Sequence, residues 1–213
     1  MKRFFAAPLA LVLLLSGTPA QASWISPFIS EIHYDNSGAD VGEFVAVTAP
    51  GDIDLAGWQL VLYNGADGQP YAWTGLSDML GGSGDGWVEY YWAVAGIQNG
   101  PDAVALVSPS DTLVELIAYE AEASEFSHIA AENVGRRLPL AENGATLINT
   151  SLQRVGGAAD WDWIAAEATP GVLNPGLGGF SAARVPAAHV GWLWLTGLAG
   201  WLLVCSRRPY CRI

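Results

Sequence analysis

Asp35, Asn36, Asp40 and Glu43 set four oxygen-bearing side chains within nine residues, on a segment that also carries Gly38 and Gly42. Carboxylate and amide oxygens are the ligands that a hard divalent cation takes, and Ca²⁺ tolerates irregular arrangements of them. The spacing is not that of an EF-hand loop, so the plain reading is a solvated acidic loop, and a structural calcium site of irregular form is the sharper alternative. Zinc is not indicated, because the central part of the chain has no thiol and no pair of histidines at ligand spacing.

His33 and His128 are the histidines of that central part. A nucleophilic triad needs a base held beside a serine or cysteine, and no Gly-x-Ser-x-Gly elbow presents a serine. His33, close to Asp35, reads as a turn or surface histidine, and His128, among Glu122, Glu125 and Glu132, as a solvated one. A chain with 21 acidic residues invites carboxylate pairs of the kind that hydrolyse glycosides, yet sequence does not place two of them across a cleft. No catalytic residue is assigned, and the expectation is a protein that is not an enzyme.

Aromatic residues offer binding instead. Trp73, Trp87, Tyr90, Tyr91, Trp92, Trp161 and Trp163 are more than a small core requires. Trp58 and Trp92 are assigned to the core. Tyr71, Trp73, Trp161 and Trp163 are the candidates for an exposed platform that stacks on sugars or on a partner protein.

Charge narrows the ligand class. Every acidic residue lies between Glu31 and Glu167, and three arginines, Arg136, Arg137 and Arg154, oppose 21 acids there, a formal charge of −18. Nucleic-acid binding depends on counterion release by lysine and arginine, so direct contact with nucleic acid is not expected. A solvated acidic surface keeps such a domain soluble.

The two ends differ from the middle. Residues 1–22 run from Lys2 and Arg3 through the apolar stretch Phe4 to Leu15 to Ala20-Gln21-Ala22, the layout of a secretory signal peptide cleaved after Ala22. Residues 185–213 open with an apolar stretch from Val185 to Cys205, long enough for a hydrophobic transmembrane helix, and Arg207 and Arg208 follow it, which favours a cytoplasmic C-terminus. Cys205 and Cys211 both lie in this tail, so no disulfide is available to the exported domain. Gly171 to Phe180 holds four glycines and Pro175. It reads as the end of a domain spanning residues 23–175, with a Gly-rich linker at 176–184.

Short runs of β-branched and aromatic residues, each ended by Gly, Pro, Asn or Asp, must position all these side chains. The pattern predicts strands at Phe28 to Tyr34, Glu43 to Thr48, Trp58 to Tyr63, Tyr71 to Leu76, Trp87 to Ala95, Ala103 to Val107, Leu113 to Tyr119, Ser151 to Val155 and Trp161 to Ala165. Trp58, Leu60 and Leu62 alternate with Gln59, Val61 and Tyr63 as a strand requires. Asn64-Gly65 and Asp67-Gly68 suit a hairpin, and Asn99-Gly100-Pro101-Asp102 suits another turn. Gly81 to Gly86 reads as a flexible loop with no phosphate-binding sequence after it, and Ala121 to Glu132 as a short helix at most. The class is all-β, a sandwich of about nine short strands in two facing sheets.

Several of these segments together resemble a known family. Ile29-Ser30-Glu31-Ile32-His33-Tyr34-Asp35-Asn36, Gly42-Glu43-Phe44-Val45, Leu55-Ala56-Gly57-Trp58-Gln59-Leu60 and Leu62-Tyr63-Asn64-Gly65 are similar to the opening of bacterial lamin-tail domains. Ile97 to Asp102, Ala105-Leu106-Val107 and Ala118-Tyr119-Glu120 are similar to the middle, and Ser151-Leu152-Gln153, Thr169-Pro170-Gly171 and Asn174 to the end. The resemblance implies an immunoglobulin-like sandwich with an accessory role in binding or surface attachment, or one that serves an extracellular nuclease or phosphoesterase system. The family's usual second acid after Glu43-Phe44-Val45 is Ala46 here. The tail, with Val185-Pro186-Ala187-Ala188 and Arg207-Arg208, resembles PEP-CTERM sorting signals of the type that begins Val-Pro. That resemblance implies an exosortase-type enzyme and the membrane as partners, and an envelope or extracellular-matrix location where a polysaccharide or surface protein is the ligand.

Overall fold

The computed structural model describes residues 26–82, 86–129 and 135–180. The expected signal peptide and the tail, with Val185, Pro186, Arg207 and Arg208, lie outside the described residues, as do residues 83–85 of the glycine-rich loop. Strands in chain order are β1 (Phe28–His33), β2 (Phe44–Pro50), β3 (Gln59–Asn64), β4 (Pro70–Gly75), β5 (Leu80–Gly81), β6 (Trp87–Ala93), β7 (Asp102–Val107), β8 (Leu113–Tyr119), β9 (Gly135–Arg137), β10 (Thr150–Val155) and β11 (Asp162–Glu167). All nine predicted runs are strands. β5 and β9 are additions too short to show a period, and residues 121–129 hold only a 3-10 turn, Ala123–Phe126, where a short helix was anticipated.

Two sheets form, ordered β11-β10-β1-β2-β6-β5 and β4-β3-β7-β8-β9. Pairing is antiparallel except between β8 and β9. The β3–β4 hairpin closes as its residues dictate. Asn64 Oδ1 accepts the Ala66 amide at 2.7 Å, Asp67 Oδ1 accepts the Gln69 amide at 2.9 Å, and Gly68 takes the positive φ of 68° that a tight turn needs.

Alternation sends Ile29, Ile32, Val45, Val47 and Leu152 from one sheet, and Leu60, Leu62, Val104, Leu106 and Ile117 from the other, into one core. Burying each such side chain contributes about 1.5–3 kcal/mol. Trp58 and Trp92 pack against this core as expected. The outer face of the five-stranded sheet is also covered: Ala103, Ala105 and Ala118 are small enough for Phe126, just after β8, to lie over them.

One cation is sealed between the sheets. Arg154 on β10 is 1% exposed, and its guanidinium faces the rings of Phe28, Trp161 and Trp163 at 5.2, 4.3 and 5.2 Å. Its Nη2 meets Glu115 Oε1 of β8 at 2.5 Å, and the other oxygen of Glu115 accepts the Ile29 amide at 2.8 Å. Glu115 therefore joins β8 of one sheet to β10 and β1 of the other.

Removing one partner of a buried ion pair leaves the other charge without compensation. Glu115→Ala is expected to lower stability by about 3–5 kcal/mol in urea unfolding. The double change Arg154→Met with Glu115→Leu should lose far less than the sum of the two single changes. Additive losses would show that Glu115 does not act on Arg154.

Candidate functional site

The first candidate cluster closes one end of the sandwich. His33, the last residue of β1, is fully buried rather than at the surface as predicted. The residue lies on the outward side of its strand, where alternation suggests solvent, but the segment around Glu142 covers it. Its Nδ1 is 2.9 Å from Glu142 Oε1, and its Nε2 is 3.1 Å from Asn36 Nδ2. With the Asn36 amide donating to Nε2, the neutral ring carries its proton on Nδ1 and donates it to Glu142. Glu142 Oε2 accepts the amides of Tyr34 and Asp35 at 2.6 and 3.1 Å, and its own amide donates to the Tyr34 hydroxyl at 2.8 Å. Both ring nitrogens are thus engaged within the protein.

The quartet Asp35, Asn36, Asp40 and Glu43 lies beside this histidine, and its members divide. Asp40 is exposed and accepts the Asn36 amide at 3.3 Å and the Asn99 side chain at 3.2 Å. Those hydrogen bonds, the backbone one first, hold its carboxyl below the usual range. Glu43 is buried and accepts the Gly96 amide at 2.6 Å, and burial pushes its carboxyl up. Asn36 is buried and donates to the Val41 carbonyl at 2.9 Å. Asp35 is half-buried, and desolvation followed by the Asp40 charge raises it. Among the described residues no group of three or more histidine, cysteine, aspartate or glutamate side chains is arranged to hold a metal ion. Two buried oxygens of the quartet, Asn36 Oδ1 and Glu43 Oε1, lack a hydrogen-bond partner.

The four candidate aromatics do not form one platform. Trp73 on β4 is 67% exposed. Tyr71, on the same strand, packs against the core, and its hydroxyl accepts the Gln98 amide at 3.2 Å. Trp163, in β11, is only 4% exposed and Trp161 packs beside it, both facing Arg154. β4 and β11 are edge strands of different sheets. The alternation that puts Trp163 inward is that of β11 against β10, which pairs Trp163 with Arg154.

A second cluster, not found from sequence, lies on the outer face of the six-stranded sheet. Ser30, Glu31, Thr48, Glu89, Ser151 and Gln153 are all buried there. Glu31 Oε1 accepts Ser151 Oγ at 2.5 Å, Gln153 Nε2 at 3.1 Å and the Thr169 amide at 2.8 Å, and its Oε2 lies 3.1 Å from Thr169 Oγ1. Glu89 Oε2 accepts Ser30 Oγ at 2.9 Å and Thr48 Oγ1 at 3.2 Å. These residues alternate with core residues along their strands and so read as a solvated face.

The cover over them is the chain after β11, residues 168–180. Asn174 donates to the carbonyls of Ser30 and Arg154 at 2.8 and 3.0 Å. Gly171, at φ 81°, lies so close to the Tyr91 ring that an added Cβ would meet it at 3.3 Å. The Gly178 amide donates to the Gly156 carbonyl at 2.9 Å, the Gly156 amide donates to the Gly176 carbonyl at 3.0 Å, and Phe180 stacks on Trp87 with ring centroids 5.1 Å apart. The segment expected to end the domain at 175 and continue as a linker is, through Phe180, a strap docked on the sheet. Its glycines and Pro175 permit close approach to the sheet here. The repeated polar contacts of Thr169 and Asn174 were visible in sequence only as part of the family resemblance.

No family model matches the chain, and no curated protein or solved structure matches it.

Burial pushes the His33 ring down, but the hydrogen bond and charge of Glu142 outweigh it and leave the ring above its ordinary value of 6.5. The resulting stabilisation is complete below 6.5 and is lost as pH rises through the raised value. NMR titration is expected to find His33 above 6.5, and Glu142→Gln should bring it down. An unchanged His33 titration in that variant would separate the two residues.

Proposed function

We propose that this is an exported display module: a lamin-tail-like, immunoglobulin-like sandwich, carried to the envelope or extracellular matrix by a PEP-CTERM-like tail, that binds a matrix polysaccharide or surface protein without catalysing a reaction. The observation that supports it best is the strap. Among the described residues both outer sheet faces are covered, and the strap that covers one of them is docked as far as Phe180, five positions in sequence before Val185, where the sorting-type segment opens. A folded unit with both faces covered suits presentation from a tether. The acidic balance favours a neutral or cationic ligand over a nucleic acid. Trp73, exposed on edge strand β4, is the side chain of the aromatic set best placed to touch a sugar ring or a partner.

Calcium enters this proposal on narrower ground than the sequence suggested. Asn36 Oδ1 and Glu43 Oε1 are the buried oxygens that would hold it, with Asp35 and Asp40 nearer the surface. A resident ion would brace the loop at residues 35–43. After treatment with a chelator, added calcium is expected to raise the thermal midpoint, and Glu43→Gln to abolish the rise. No response in the unaltered protein would assign the quartet to hydrogen bonding alone.

The delivery half of the proposal is tested by mass spectrometry of protein recovered separately from host membranes and culture medium. A medium form that starts at Ser23 and ends near Val185 is the expected result. A chain found only in membranes with an intact C-terminus would reject sorting and leave an anchored surface domain.

A further inference from the structure

We infer that Glu31 and Glu89 hold one proton between them, and that this proton latches residues 168–180 onto the outer face of the six-stranded sheet. Glu31 is fully buried and Glu89 is 1% exposed. On β2 Glu31 stands opposite Ala46 and Glu89 opposite Thr48, two positions along the same outer face, so the two carboxyls approach on the diagonal over the small Ala46. Two ionised carboxylates in so dry a place repel each other strongly, and one must be neutral.

The hydrogen bonds say which. Glu31 Oε1 alone accepts three donors, from Ser151, Gln153 and the Thr169 amide, as suits an ionised carboxylate, and Oε2 lies 3.1 Å from the Thr169 hydroxyl, whose one hydrogen it shares with Asn174 Oδ1. Among the described residues Glu89 has donors on Oε2 alone, and its buried Oε1 has no hydrogen-bond donor. A proton on that oxygen, donated toward Glu31, satisfies both groups. Burial first, and then the Glu31 charge, push the Glu89 carboxyl up to about 8.

Among the described residues, the groups around the pair offer no competing cation. Ser30 and His33 share this face on β1, Thr48 is on β2, Tyr91 on β6, Ser151 and Gln153 on β10, and Thr169 on the strap. His33 is bound to Glu142, and the side chain of Arg154 lies on the opposite face with Glu115. Glu167 presents its backbone carbonyl to Gln153 and is otherwise exposed.

Thr169 binds Glu31 through both its amide and its hydroxyl, so the strap is the element that loosens when the pair carries two charges. Opening it would let water reach Glu89 and restore its ordinary value of 4.5. Between 4.5 and about 8 only the closed form then holds the proton. The strap's opening equilibrium therefore rises by about tenfold per pH unit across that window and levels off above it. On the display reading, opening would also lengthen the tether by about 40 Å; the latch itself does not depend on that reading.

Hydrogen exchange of the full chain in detergent, from about pH 5 to about pH 9 and corrected for intrinsic exchange, tests the latch. Amides of Thr169, Leu177 and Gly178 are expected to show the tenfold-per-unit rise, while those of Leu60 and Leu62 in the other sheet, whose pairing involves none of these groups, do not follow it. Glu89→Gln, whose amide donates to Glu31 without titrating, should keep the strap closed and flatten the dependence. A flat profile in the unaltered protein, or an unchanged slope in Glu89→Gln, would overturn the inference. So would a profile that shifts with added calcium, which would put a metal ion where the proton is placed.

Discussion

The guanidinium of Arg154 is the constraint around which the two sheets are arranged. A cation this deep is tolerated only with a nearby opposite charge and polarisable neighbours, and it has both: Glu115 from the facing sheet and the ring faces of Phe28, Trp161 and Trp163. Those requirements fix more than one residue. Glu115 must sit on β8 opposite β10, and its second oxygen sets the position of Ile29 at the start of β1. Trp163 must face inward, which fixes the register of edge strand β11. The carbonyl of Arg154 then receives Asn174 and so ties the strap to the same point. A buried pair of this kind is weak as a source of stability and strong as a specification of which surfaces meet.

Covering both outer faces is the second organising fact, and the two covers differ in chemistry. Over the five-stranded sheet the contact is apolar, with Phe126 on a floor of alanines. Over the six-stranded sheet it is polar, with hydroxyls, amides and two carboxyls beneath the strap. An apolar cover is insensitive to pH. A polar cover built on acids depends on their protonation, because a buried carboxylate without donors is expensive and two adjacent ones more so. The strap is thus the part of the domain whose closure solution conditions can alter.

Much of this fold was legible in the sequence. Turn residues punctuate the chain strongly enough that nine runs could be named as strands, and those runs pair as strands in the structure. What alternation could not reveal is which polar faces are solvated. Glu31, His33, Glu89, Ser151 and Gln153 occupy the positions a solvent face would fill, and only a distant segment closing over them makes them buried. That segment was hidden by its own composition, since glycine and proline serve a strap lying flat on a sheet as well as they serve a linker. The aromatics failed for a related reason. Trp163 and Trp161 look surplus to a core until Arg154 is seen to need them, whereas Trp73 is the exposed member the sequence anticipated.

Ala46 is the small residue on the face that holds the two carboxyls. The register sets it directly opposite Glu31. An acid there would give two carboxyls on adjacent strands. In this chain the second carboxyl of the face, Glu89, stands opposite Thr48 and one strand further away. It comes from β6, with Ser30 and Thr48 to orient it. The pair and its cover are also built from segments far apart in sequence, since Glu31, Glu89 and Thr169 belong to β1, β6 and the strap. No single segment of the sequence displays the pair, which only the folded sheet assembles.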